Sequence, residues 1–216
     1  MKRMFVIVGV ALFLMTTVYA YDDGDFQIWN TENQEFKVNK ESRITLEEEF
    51  RWGDDAGDFY YHHYDTGFIH SFNQNLDLQA NYRQVYEKKK GEFKEESRPH
   101  LNATLKFELY AFKLDDRNRI EYQHFDYKTD TWRYRNKFAV KFPWKLTRLE
   151  IQPYVADEIF VELEDGSLSR NRLYSGLEFT IIKHIKGGVY YLLQSSKSST
   201  QWVDAYVTGT KLKLIF

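Results

Sequence analysis

The sequence predicts an all-β chain: an antiparallel transmembrane β-barrel of about ten to twelve strands, with twelve favoured. Three observations predict it. Apolar and polar residues alternate with period two over most of the chain. The polar faces of successive segments carry opposite charges that can meet across turns. The final stretch, "GTKLKLIF", alternates apolar and basic residues and ends on Phe216.

Residues 1–20 stand apart. Lys2 and Arg3 precede an apolar run from Phe5 to Met15, and small residues follow at Val18 and Ala20. That order predicts a secretory signal peptide cleaved after Ala20, leaving 21–216 as one barrel domain. A membrane anchor is the weaker reading, because a spanning helix needs roughly 20 apolar residues. The chain has no Cys, which excludes a small disulfide scaffold. Its net charge is −2, and more negative still without Lys2 and Arg3. That balance is no nucleic-acid signature.

The strands follow in order. Over Leu76–Tyr86, Leu76, Leu78, Ala80 and Tyr82 oppose Asp77, Gln79, Asn81 and Arg83. Over Pro99–Leu109, Leu101, Ala103, Leu105 and Phe107 oppose His100, Asn102, Thr104 and Lys106. Over Trp132–Phe142, Trp132, Tyr134, Phe138 and Val140 oppose Arg133, Arg135, Lys137 and Lys141. Over Leu149–Val161, Ile151, Val155 and Ile159 oppose Glu150, Gln152 and Glu158, with Glu162 next on the polar face. Such alternation means two-faced strands.

Folding neighbouring segments back on one another pairs their polar faces. Around "FNQN" (72–75), Asp65 meets Arg83. Around 109–111, His100 meets Glu121, Lys106 meets Asp115, and Glu108 meets Lys113. Across "DYKTDT" (126–131), Glu121 meets Lys137. Across "FPWKLT" (142–147), Lys141 meets Glu150 and Arg133 meets Glu158. Opposite charges directly across a ladder favour pairing, and a one-residue slip would break the set. The solvated face of a soluble sandwich needs no such partners. The pattern therefore predicts apolar residues toward lipid and a charge network in the lumen. Closure would also remove the exposed sheet edges.

Trp52, Trp132 and Trp202 fall at strand ends on one rim and Trp144 on the other, the placement of an aromatic girdle. One set of turns reads as short ("NKES", "FNQN", 109–111, "FPWKLT", "KHIKG"). The alternate set reads as longer and more polar, "EKKKGEFKEES" (87–97) above all. That asymmetry predicts short periplasmic turns and longer extracellular loops. Leu212, Leu214 and Phe216 have the form of a barrel-assembly signal on the last strand. For residues 25–39, the polar centre Asn30, Glu32 and Gln34 predicts a break near Thr31–Asn33. Two short strands there would give about twelve in all, the even number expected of bacterial barrels.

The pieces "EEEFRW" (47–52), "ESRPHLNATLKF" (96–107), "WRYRNKF" (132–138), "QPYVADEIF" (152–160), "NRLYSGLEF" (171–179) and "WVDAYVTG" (202–209) resemble an uncharacterised outer-membrane barrel family, domain of unknown function 2490. The resemblance covers most of 21–216. It implies a barrel fold and an outer-membrane location, and it brings no activity, cofactor or catalytic residues.

No catalytic site, metal site or cofactor is predicted. His63 and His100 read as salt-bridged lumen residues, not as members of a nucleophile–base pair. His62 and His63 are adjacent and point to opposite faces, so they do not join Asp58 around a metal. The sequence thus reads as a porin-like protein of a Gram-negative outer membrane, structural, receptor-like or narrow-pore in role. Its partners would be outer-membrane lipids and the barrel-assembly machinery, with an unknown small-molecule ligand. The alternatives are a lipid-modifying outer-membrane enzyme and a soluble periplasmic lipocalin-like binder.

Overall fold

The computed structural model describes residues 23–198 and 201–216. The leader expected at 1–20 lies outside the described residues. The described chain is a run of eleven strands: β1 Asp25–Lys37, β2 Ser42–Gly53, β3 Asp58–Asn73, β4 Leu76–Lys89, β5 Glu92–Leu109, β6 Phe112–Phe125, β7 Thr131–Lys141, β8 Gln152–Glu162, β9 Leu168–Ile182, β10 Ile185–Ser198 and β11 Gln201–Ile215. Each pairs antiparallel with the next, and β1 pairs with β11 to close the barrel.

The expected twelve strands are corrected to eleven. Residues 25–37 form one unbroken strand, laddered to β2 from Ile28↔Trp52 to Lys37↔Arg43 and to β11 from Asp25↔Ala205 to Glu35↔Ile215. The polar centre does not break it, because the ladders on both sides run through it without interruption. Thr31 Oγ1 donates to Glu49 Oε2 at 2.9 Å inside, and Asn30 Nδ2 donates to Thr210 Oγ1 at 2.9 Å outside. In an up-and-down barrel with an odd number of strands, the first and last strands run the same way. The β1–β11 closure is therefore parallel.

The two rims also differ from expectation. At one, β4 and β5 continue to a tight turn at Lys90–Gly91, both with positive φ, where a long loop is expected. That is the backbone a two-residue hairpin of right-handed strands needs, and Gly91 supplies it without strain. At the other rim, the segment after β7 is no tight turn. Residues 142–151 form an extended connection with one isolated bridge, Leu146↔Ile151, and β8 begins only at Gln152. The predicted loop-length asymmetry thus fails at these two connections, while the other turns of the second rim, 38–41, 74–75, 110–111 and 183–184, are short. We refer to the Gly91 rim and the Trp144 rim.

Period two sorts the side chains as strand geometry requires. Leu46, Phe68, Leu101, Leu105, Leu173 and Tyr206 are exposed on the outer wall, while Asp65, Arg83, His100, Glu121, Arg135 and Glu158 are buried in the lumen. Trp52, Trp132 and Trp202 lie on the outer wall at the Gly91 rim, and Trp144 at the opposite rim stacks on Phe142 with centroids 5.1 Å apart. The outer wall is not uniformly apolar. Asn136 Nδ2 donates to Asp116 Oδ1 at 2.5 Å, Asn171 Nδ2 donates to Asp157 Oδ1 at 2.7 Å, and Glu32 lies directly across from Glu48.

The lumen has an aromatic core as well as charges. Trp29, Tyr154, Tyr174, Tyr190, Leu192 and Val207 are buried together on the β8–β1 side. Gly209 makes room for it: a Cβ there would run into the Tyr190 ring directly across the ladder. Gly209→Val is expected to displace that ring and destabilise the barrel by about 1–3 kcal/mol, read as a lower denaturant midpoint in detergent.

Candidate functional site

The lumen is the candidate site, and it divides into two cavities. One of about 890 Å³ opens toward the Gly91 rim, lined among others by Lys89, Tyr127, Lys128 and Asp165. One of about 620 Å³ opens toward the Trp144 rim, lined by Lys145, Glu150 and Lys186 among others. Thr31, Glu47, Arg83, Arg117, Arg119 and Lys211 line both, so they form the waist between them.

Two buried carboxylates organise the β6–β9 wall. Glu121 accepts from Arg133 Nε at 2.6 Å and Arg135 Nη1 at 3.2 Å, and also pairs with Arg133 Nη2, while Arg119 Nη1 stands at 3.7 Å. Glu158 accepts from Arg117 Nη2 at 2.7 Å, Arg135 Nη2 at 2.8 Å and the Tyr174 hydroxyl at 3.0 Å. Arg172 Nη1 lies 3.9 Å from the same carboxylate. Around them the guanidinium of Arg135 sits over the Phe160 ring at 4.4 Å, and that of Arg172 lies 4.9 Å from it. A cation over an aromatic face is attracted by the ring quadrupole.

The β2–β5 wall is more acidic. Arg83 Nε donates to Asp65 Oδ2 at 2.7 Å and Arg83 Nη2 to Glu47 Oε1 at 3.0 Å. His63 Nε2 lies 3.2 Å from Glu47, and His100 Nε2 lies 3.7 Å from Asp65. Glu49 holds Arg51, whose guanidinium lies over Trp29 at 3.7 Å. Near the Trp144 rim, Asp77 takes Lys106 at 2.5 Å and Arg43 at 2.7 Å.

The ladders settle each pairing. Asp65↔Arg83, His100↔Glu121, Lys106↔Asp115 and Glu108↔Lys113 are direct partners. Lys106 nonetheless reaches back to Asp77, and Asp115 lies 3.8 Å from Lys141. Three pairings are corrected. Arg133 faces Glu162, not Glu158; Lys137 faces Glu158 on one side and Arg117 on the other, not Glu121; Lys141 faces Tyr154, not Glu150. For Lys137 the reason is the β6–β7 hairpin, where Gln123 pairs with Thr131 and so puts Arg133, not Lys137, across from Glu121. For Arg133 and Lys141 it is the 142–151 connection. Reading it as a tight turn after Pro143 shifts the β7–β8 register by four residues. Glu150 lies outside the strands, 3.1 Å from Lys145, and Lys141 takes Glu178 at 3.0 Å. Leu212, Leu214 and Phe216 alternate against Lys211 and Lys213, and Phe216 stacks on Phe36 with centroids 4.9 Å apart.

Arg51, Arg98, Arg117, Arg119, Arg172, Glu47, Glu49 and Glu96 are lumen charges that the pairing argument misses. Their signal is present: "EEEFRW" puts Glu47, Glu49 and Arg51 on one face by period two. Trp29 and Phe160 have no such signal, since large aromatics on that face run against the outward-apolar rule.

Outside the lumen, Ser97 lies directly across from His124 on the outer wall, and His124 Nδ1 meets Asp130 Oδ2 at 2.8 Å. The Tyr122 hydroxyl, His124 and the Phe125 N–H hold the Asp130 carboxylate down at about 2. The Ser97 hydroxyl, however, donates to Gln84 Oε1 at 3.0 Å. A serine nucleophile needs its link to the base. Among the described residues no group of three or more His, Asp or Glu is placed to hold a metal ion. His62 stacks on Tyr86 outside while His63 points inward, so the two do not share a site.

No curated protein matches the chain. The chain belongs to the family described as protein of unknown function (DUF2490), whose family model matches residues 26–205.

Proposed function

We propose that this protein is an outer-membrane β-barrel whose ion-paired lumen forms a narrow passage with a vestibule at each rim. The observation that carries the proposal is the inversion of the wall. Large apolar side chains stand exposed outside, while carboxylates and guanidiniums are buried inside. Water does not favour that distribution, and hydrocarbon does. Three further features support it. Every strand has at least 11 residues, enough for a tilted crossing of about 9–11 residues. Tryptophans stand at both rims, as interfacial side chains do. Closure leaves no ladder edge unpaired, which a bilayer demands.

Several polar residues on the outer wall bond to one another, Asn136 to Asp116 and Asn171 to Asp157 among them, as hydrocarbon favours. Glu32 across from Glu48 is the costliest pair to place there, and it is what favours the soluble lipocalin-like alternative. Cell fractionation separates the two readings. The protein is expected in outer-membrane fractions and, purified, to give small conductance steps in planar bilayers. Recovery as a soluble periplasmic species would overturn the proposal. Outer-membrane lipids and the barrel-assembly machinery are the partners it implies.

A further inference from the structure

Around Glu121 and Glu158 the lumen holds more positive charge than its carboxylates can answer. Arg117, Arg119, Arg133, Arg135 and Arg172 all converge on these two acids. Lys137 and Lys211 add charge with no carboxylate at ion-pair distance among the described residues. Each lies over a tyrosine ring instead, Tyr174 at 3.6 Å and Tyr190 at 5.0 Å. The like-charge neighbours of Lys137 include Lys211, Arg117 and Arg172, and those of Arg119 include Arg117, Arg135 and Arg83.

The hydrogen-bond ledger is incomplete at the same place. Arg119 is 6% exposed, and its Nη1 is buried with no hydrogen-bond partner; Arg117 Nε and Arg135 Nε are likewise unpartnered. A buried donor left unmade is costly, so in a native protein such donors are met by water or by an ion. Arg117, Arg119 and Lys211 line both cavities, so an occupant can reach them from either vestibule.

We propose that the waist of the lumen binds a multiply charged oxyanion, namely a phosphate group, free or esterified. Guanidinium forks offer N–H donors in fixed directions that match phosphate oxygens, and the two lysines add point charges. A single carboxylate would bring one charge where two lysines and a surplus of guanidinium N–H groups stand together. The proposal rests on the lumen reading above and names what that lumen holds.

The test is titration calorimetry of the detergent-folded barrel at about 150 mM sodium chloride, where distant charges are screened and a built site is not. Inorganic phosphate and glycerol phosphate serve as separate probes. Saturable binding of either supports the site, and the tighter of the two names the source as free or esterified phosphate. Arg119→Gln and Lys137→Gln, each first shown to keep the folded, heat-shifted gel band, are expected to weaken binding about tenfold or more. Should Arg119→Gln misfold, Lys137→Gln alone decides. No saturable binding by the wild-type barrel, or unchanged affinity in the folded variants, overturns the proposal. Binding without conductance would keep the site and remove the passage; conductance without binding would do the reverse.

Discussion

Glu158→Ala is expected to destabilise the barrel by about 3–5 kcal/mol, the usual result of stranding buried charges by removing their partner. Glu158 is 1% exposed and takes hydrogen bonds from Arg117, Arg135 and Tyr174. Without it, among the described residues, Arg117 is left with no carboxylate at ion-pair distance and Arg135 keeps Glu121 alone. The measurement is the urea midpoint of the heat-shifted band. Removing Arg135 as well relieves one stranded charge, so Glu158→Ala with Arg135→Ala should cost less than the sum of the single losses. Strictly additive losses would show that the two residues do not interact. Glu150→Ala is the contrast. Its pair with Lys145 is half exposed, so the loss should stay within about 1 kcal/mol.

Deleting Phe216 is expected to reduce assembled protein several-fold, with the unfolded form accumulating. Phe216 belongs to the closure. Its N–H donates to Glu35 O at 2.8 Å, its carbonyl accepts from Lys37 N at 3.1 Å, and its ring stacks on Phe36. Closing β1 on β11 brings together residues about as far apart in the chain as any in the barrel. That loop entropy is met only by the contacts along one ladder. Phe216→Leu keeps the backbone bonds and part of the apolar area, so it should fall between wild type and the deletion. The readout is the folded fraction on unheated gels from isolated membranes. Wild-type levels from the deletion would show that the ring and its two backbone bonds are dispensable to closure.

Much of the barrel is legible in period two alone, because each strand separates an apolar wall from a charged lumen. Asp65↔Arg83 and Lys106↔Asp115 come out in register since tight turns fix the ladders between them. The β7–β8 ladder does not, because Pro143 suggests a turn and nothing local signals that the chain stays irregular to Ile151. The count fails for a different reason. Asn30, Glu32 and Gln34 look like a break, yet strands on both sides hold them extended, and no local propensity reveals that. The site is partly legible. Its charges follow from alternation, but the surplus of cations is a property of how several strands converge. Arg117 and Arg172 meet at Glu158 from β6 and β9, which no single segment shows.

The parallel closure also decides the sidedness of the chain. In an even-numbered meander, both ends of the sheet emerge at the same rim. Here Asp25 begins at the Gly91 rim and Ile215 finishes at the Trp144 rim. Set in a membrane, the first and last strands would thus deliver their outer ends to different compartments. One of the two ends would then have to cross the bilayer as the barrel forms, and the rim that faces outward decides which. Joining the two ends, the usual route to a circular permutant, would need a linker that spans the full height of the barrel, so a short one would not serve.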